Sequence, residues 1–454
     1  PMASRDSRRS AAGSSRRSAS RASRTGRSAA CTAAVLATVA TLTACASDAP
    51  PSEPPDDLTA FTGATVWDGT GAPPIADATL LVRDGRITSI EANGPVPEGA
   101  DEIDLSGRYV VPGLIDTHSH LNGLWADPGV TDEAAQLEAS LLLFARYGVT
   151  TINSLGGAPP AAGALRDATP DEAPGRARFT FAGAVVTGPT PEEAAQQVAA
   201  NADRGVDWIK IRVDDNLGTV DKMPWPAVEA TIEAAHERGL RVASHLFYLE
   251  DAERLLELGT DLVAHSVRDA TIPSALSERL AAENVCYVPT LTREVVSFVY
   301  AERPEWFDDP FFQRWANPGV VAAVTDPEFQ AARRAASATA DRYREALVQA
   351  QENVATLHEA GAPIAFGTDS GPGGRFPGYL QHLELELMVE AGLTPEAALT
   401  TATSQAAACL GDADVGVLEP GRLADFLVLA ADPLADITNT KSLEAVYLGG
   451  ARIE

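Results

Sequence analysis

Short apolar runs recur along the chain, separated by segments in which apolar residues repeat at helical spacing. The runs are Tyr109–Thr117, Val149–Leu155, Phe179–Val186, Asp207–Val213, Leu240–Leu246, Asp261–Ser266, Asn284–Thr290 and Pro363–Asp369. Between them lie DEAAQLEASLLLFARYG, TPEEAAQQVAANADRG, AVEATIEAAHERG and LEDAERLLELG, each closing on Gly as a helix C-terminus should. Strands alternating with helices in this way predict an α/β fold, a (β/α)8 TIM barrel over 109–411, rather than an open sheet.

Two flanking stretches break the alternation. Residues 58–108 and 412–454 read as short strands with turn signals, in FTGATVWDG, ATLLVRDGRITSIEA and GVLEPGRLADFLVLAADP. Short sheets need partners for stability, so both ends are expected to pair into one small composite β-sandwich. The one long interruption of the barrel, 291–360, is helical in pattern and rich in aromatics (SFVYAERPEWFDDPFFQRW). An insertion on a βα-loop lies over the C-terminal face, where barrel enzymes keep their sites. It reads as a lid, or equally as a contact between copies in a homo-oligomer.

The first 57 residues have a different character. Residues 1–30 carry eight Arg and one acid, net +7, and the whole chain carries −28, which leaves −35 for the rest. A surface this acidic repels phosphate, so nucleic acid is excluded as a partner. The uncharged run Ala29–Ala44 has 16 residues, shorter than the roughly 20 that span a bilayer as a helix. Residues 1–45 therefore read as a signal peptide, and Leu42-Thr43-Ala44-Cys45 resembles the bacterial lipoprotein box, with Cys45 as the lipidated residue. The Pro-rich segment 46–57 reads as a flexible tether. The expected location is the outer face of a bacterial membrane, reached by the lipid alone. Outside the targeting segment only Cys286 and Cys409 remain, and both read as buried small hydrophobes rather than as a bridge.

The chain holds seven His. His118 and His120 end the first strand in PGLIDTHSHL, and alternate strand residues share a face. His245 ends strand five (RVASHLF), His265 strand six (DLVAHSV) and Asp369 strand eight (IAFGTDS). Lys210 lies inside the otherwise apolar VDWIKIRV of strand four, where an amine is costly to bury. Alone, each signal fits a satisfied core residue. Together they place six candidate metal ligands at one end of one barrel.

His118, His120 and Asp369 could hold one cation and His245 with His265 a second, imidazole and carboxylate being suitable zinc ligands. A carbamylated Lys210 would supply a bridging anion between them. Water shared by two divalent metals would become a hydroxide nucleophile near neutral pH. Asp369 would serve as general base and then acid, and Tyr248 would help polarise the carbonyl. Arg268, Arg293 and Arg375, on the loops after strands six to eight, could hold a substrate carboxylate, though salt bridging within the loops would read the same.

These motifs, with the closing GVLEPGRLADFLVLAADPL, resemble the amidohydrolase superfamily over roughly 58–454, nearest its imidazolonepropionase-like and binuclear zinc dipeptidase branches. The resemblance implies a distorted barrel, two divalent metals, usually zinc, and a carboxylated lysine at Lys210. Imidazolonepropionases proper are mononuclear and lack that lysine, which favours the binuclear branch. The function expected is hydrolysis of an amide, peptide-like or cyclic amide C–N bond in a small carboxylate-bearing molecule such as an N-acyl amino acid or dipeptide. The alternatives are a mononuclear deaminase or lactonase type, and a metal- or solute-binding lipoprotein without catalysis.

Overall fold

Seven parallel strands follow one another round the barrel in sequence order: β1 (Leu114–Ser119), β2 (Val149–Leu155), β3 (Arg178–Ala182), β4 (Trp208–Arg212), β5 (Arg241–His245), β6 (Leu262–Ala264) and β7 (Cys286–Val288). Every residue of β1, β2, β6 and β7 is buried, as strands covered on both faces must be. The eighth stave, 363–370, joins by isolated bridges instead of a regular ladder: Ile364 pairs with Tyr287 of β7 and Ser370 with Ser119 of β1. The Ala365 N–H donates to Tyr287 O, and the Thr117 N–H to Phe366 O, each at 2.9 Å, so the barrel closes. Close approach explains the irregularity. A Cβ on Gly367 would lie 2.5 Å from Val288 Cγ1 and 2.9 Å from His118 Cβ. This computed structural model describes residues 58–122 and 130–454, so the expected signal peptide, the expected tether and the lipidation expected at Cys45 all fall outside the described residues.

The run Tyr109–Thr117 is divided between two sheets, a correction to the single barrel strand expected. Tyr109–Pro112 pairs antiparallel with Phe426–Leu429 in the second sheet, and only Leu114 onward enters the barrel. The break falls at Gly113, where a Cβ would sit 2.2 Å from Thr150 Oγ1 and whose N–H donates to Asp425 O. Apolarity runs unbroken across this point, so the sequence pattern does not mark it.

The second sheet has eight strands drawn from both chain ends, with Leu58–Val66 and Ile75–Arg83 from the first and Phe426–Leu429 and Leu443–Leu448 from the last. The sheet folds back on itself: Arg86 bridges Leu423, and the ring of Phe61 meets those of Phe426 and Tyr447 at 4.9 Å. The insertion is helical, from Leu291–Val299 to the long Ser337–Glu359. Trp306 stacks on Tyr379 at 5.2 Å, which fixes this part of the insertion to the helix Tyr379–Glu390, and Phe307 stacks on Phe312 at 4.9 Å within the insertion.

Cys286 and Cys409 form a disulfide, with Cα atoms 5.9 Å apart, which corrects the expectation of two separate thiols. Cys286 opens β7, and Cys409 lies in the helix Ser404–Leu410. They stand 123 positions apart in sequence, and only barrel closure brings them together.

Candidate metal centre

The barrel delivers the six expected residues to one place. His118 lies in β1, His120 just past its end, Lys210 at the middle of β4, His245 at the end of β5, His265 one residue past β6, and Asp369 on the closing stave. His118 Nε2 lies 3.4 Å from Lys210 Nζ and 3.5 Å from Asp369 Oδ1. His120 Nε2 is 2.7 Å from Asp369 Oδ1, and His265 Nε2 is 2.7 Å from His245 Nδ1. One donor atom each from His118, His265 and Asp369 falls within 4.8 Å of the others, close enough to share a cation.

Hydrogen bonds outside the cluster select which ring nitrogen faces it. His120 Nδ1 meets Gly156 O at 3.0 Å, His245 Nε2 meets Asp214 Oδ2 at 2.9 Å, and His265 Nδ1 meets Thr290 Oγ1 at 2.7 Å. The other nitrogen of each ring is thereby left to point inward as a lone-pair donor, the arrangement outer partners give to metal-ligating histidines. His118 Nδ1 is buried without a hydrogen-bond partner among the described residues. It is Nε2 of His118 that faces Lys210 and Asp369, and imidazole nitrogens converging with a carboxylate oxygen in one buried place suit a divalent cation and suit an apolar core poorly.

The electrostatics agree. Burial, and then the neighbouring Lys210 charge, holds His118 well below the ordinary imidazole range. Burial does the same to His265 and brings His245 down to about 3, so the rings are neutral, as ligation requires. Burial lowers the Lys210 amine to about 7. Burial alone would raise Asp369, but the Arg375 charge and the His120 hydrogen bond outweigh it and hold the carboxyl well below its usual range. The backbone is strained where it presents these groups. His265, Thr290 and Asp369 have φ of 73°, 50° and 57°. Non-glycine residues persist there only when the surroundings enforce it.

The remaining expected residues are more firmly engaged than loop positions suggest. Arg268 is buried, over the Phe247 ring at 4.5 Å and 3.3 Å from Glu294 Oε1, so it is no free substrate arm. Arg293 donates to Glu294 Oε1 at 2.9 Å and lies 3.6 Å from Asp369 Oδ2, while Arg375 bonds Asp369 directly. Tyr248 donates its hydroxyl to Asp215 Oδ1 at 2.8 Å, so its partner is a carboxylate and not a ligand histidine. Asp214, Thr290 and Gly156 are absent from the sequence reading, since only their spatial pairing with histidines distinguishes them. Asp116 could have been suspected as a carboxylate inside PGLIDTHSHL. It is buried, accepts from the His118 N–H at 2.8 Å and from Thr368 and Gln381, and so braces β1.

A barrel that gathers imidazoles, an amine and a carboxylate at its C-terminal mouth has the architecture of a metal-dependent hydrolase. The chain belongs to the amidohydrolase family, whose model matches residues 109–452. It is 28% identical over 396 residues to an imidazolonepropionase of Deinococcus radiodurans, covering 84% of this chain and 92% of that protein. Among solved structures it is similar to a Bifidobacterium longum protein provisionally assigned as a prolidase, at 27% identity and TM-score 0.69, covering 88% and 95% of the two chains. A Xaa-Pro dipeptidase with bound methionine in its active site shares the fold at 22% identity and TM-score 0.69, covering 87% of this chain and 100% of that one. The protein is thus a hydrolase acting on carbon–nitrogen bonds in small molecules.

Proposed function

We propose that the protein cleaves the amide bond of a small carboxylate-bearing substrate, an N-acyl amino acid or dipeptide, at a centre of two divalent cations, with zinc the metal its ligands suit. The observation that carries this reading is the placement of Lys210, a buried amine 3.4 Å from His118 Nε2 among four inward-facing rings. His118, His120 and Asp369 would hold one cation and His245 with His265 the other. When bound, the cations supply Lewis acidity, polarising the scissile carbonyl and the attacking water.

The chain's own groups do the rest. An amine lowered to about 7 is partly uncharged at neutral pH and can add to CO2: an N–C bond forms, a proton leaves, and the product is a carbamate anion. Such an anion is an oxygen donor where ammonium is none. Asp369, held ionised by Arg375, takes the proton of the attacking water and returns it to the leaving nitrogen. Gly156, Asp214 and Thr290 fix the ring orientations meanwhile. We read the protein as exported and lipid-anchored at Cys45, and the Cys286–Cys409 disulfide supports the export, since such bonds persist in oxidising compartments.

One observation favours a second reading. The tightest donor group, His118, His265 and Asp369, could serve a single cation in a mononuclear enzyme. Metal content per chain and turnover on a panel of N-acyl amino acids and dipeptides, measured with Lys210→Ala beside the wild type, separate the two. Two cations per chain are expected, with both metal and turnover reduced in the variant. Full metal and normal activity in Lys210→Ala would end the bridging role.

A further inference from the structure

Beside Asp369 the insertion and the loop after the eighth stave line an open cavity of about 320 Å³. Its walls include Arg293 and Ser297 from the helix Leu291–Val299, Arg333 from Pro327–Ala335, Thr339 and Tyr343 from Ser337–Glu359, and Arg375 from the loop. The volume is in the range of small-molecule sites. Arg293 and Arg375 place it against the metal centre, since both reach Asp369 Oδ2.

The charges in this cavity do not balance. Arg293 and Arg375 are answered by Asp369 and Glu294. Arg333 is not: its guanidinium carbon lies 5.2 Å from the Phe329 ring, and it forms no ion pair with a described residue. A guanidinium facing a cavity with hydroxyls around it is a fork awaiting an anion.

We propose that this cavity is the specificity pocket for the carboxylate on the amine side of the scissile bond, with Arg333 as the residue that receives it and Tyr343 and Thr339 beside it. The inference rests on the hydrolytic reading above for the direction in which the substrate lies. It makes the insertion a specificity element, because Arg333, Thr339 and Tyr343 all belong to it while the metal-binding residues do not. One unanswered positive charge matches one carboxylate, so a neutral carboxamide should be refused.

The test is calorimetric binding of N-acetyl-leucine, N-acetyl-proline and N-acetyl-glutamate, each against its α-carboxamide, to full-length zinc-loaded protein, with hydrolysis followed separately. At least one acid should bind about 10- to 100-fold more tightly than its carboxamide, the scale of a charge-assisted contact. R333Q should erase that preference and R333K restore part of it, with circular dichroism confirming the fold of each. Acid and carboxamide bound alike, no acid bound at all, or a preference undiminished in R333Q would each overturn the pocket. Selective binding lost in R333Q without any hydrolysis would keep the pocket and sink the amidase reading. Hydrolysis indifferent to Arg333 would do the reverse.

Discussion

At the lower end of the barrel, where the strands begin, Arg241 lies over the Trp208 ring at 3.9 Å and donates to the carbonyls of Cys409 and Leu410. It answers the C-terminus of the helix Ser404–Leu410, whose end carbonyls lack helical partners, while the Cys286–Cys409 disulfide ties that helix to β7. The upper end is built otherwise. Neutral imidazoles face one another, an amine is buried beside them, and three non-glycine residues sit in left-handed backbone. Each feature costs free energy that an apolar core would not. The contrast separates a face selected for cohesion from one in which cohesion is sacrificed to present lone pairs at a fixed spacing.

If that division holds, variants at the two ends fail in different measurements. The largest effect is expected at Asp369. Asp369→Asn should lose about 10²–10⁴-fold in turnover, or roughly 3–5 kcal/mol, while staying folded by circular dichroism. Metal analysis on the same preparation decides the reason: activity falling only in step with lost metal would leave Asp369 a ligand and nothing more. Next comes the lower end. Cys409→Ser should cost about 4 kcal/mol in urea unfolding, because the bond closes a loop spanning 123 residues, with turnover per folded molecule little changed. Turnover lost with stability intact would show that the ends are coupled.

A histidine away from both ends sharpens the comparison. His382 is buried, its Nε2 2.8 Å from Tyr147 O and its Nδ1 2.9 Å from the Thr440 hydroxyl, and burial lowers it to about 4. The unfolded chain takes up a proton near pH 6.5 and the folded one only near 4. Stability from this group is therefore full above about pH 6.5 and lost as pH falls through 4, to the extent of about 3 kcal/mol. The wild type should lose stability between those values more steeply than His382→Gln, with no matching change in turnover per folded molecule. Parallel acid slopes would remove His382 from the account.

Much of this was legible in the sequence, for identifiable reasons. Buried strands must be apolar and barrel helices amphipathic, so the alternation is written plainly. Histidine is scarce here, and His118, His120, His245 and His265 stand at strand ends, where few structural roles need them. What was not legible shares another cause. Arg268 and Arg375 follow strands on loops, and nothing local tells a loop arginine that holds a substrate from one that pairs with Glu294 or Asp369. Cys286 and Cys409 meet only through closure of the barrel, and Thr290 and Asp214 gain meaning only from the ring each one holds. Gly113 divides an apolar run because of Thr150, a neighbour in space whose part the run itself does not reveal.

The sheet built from both chain ends has a kinetic consequence. Tyr109–Pro112 lies between Leu58–Val66 and Phe426–Leu429, and the ribosome makes the second of these long after the first. Synthesis runs at about 5–20 residues per second, so the early strands wait tens of seconds for their partner to leave the ribosome. Pairing across so long a loop is slow in any case, since closure entropy is lost before contacts compensate. Until then an apolar edge stays open, a hazard for aggregation and an invitation to holding chaperones.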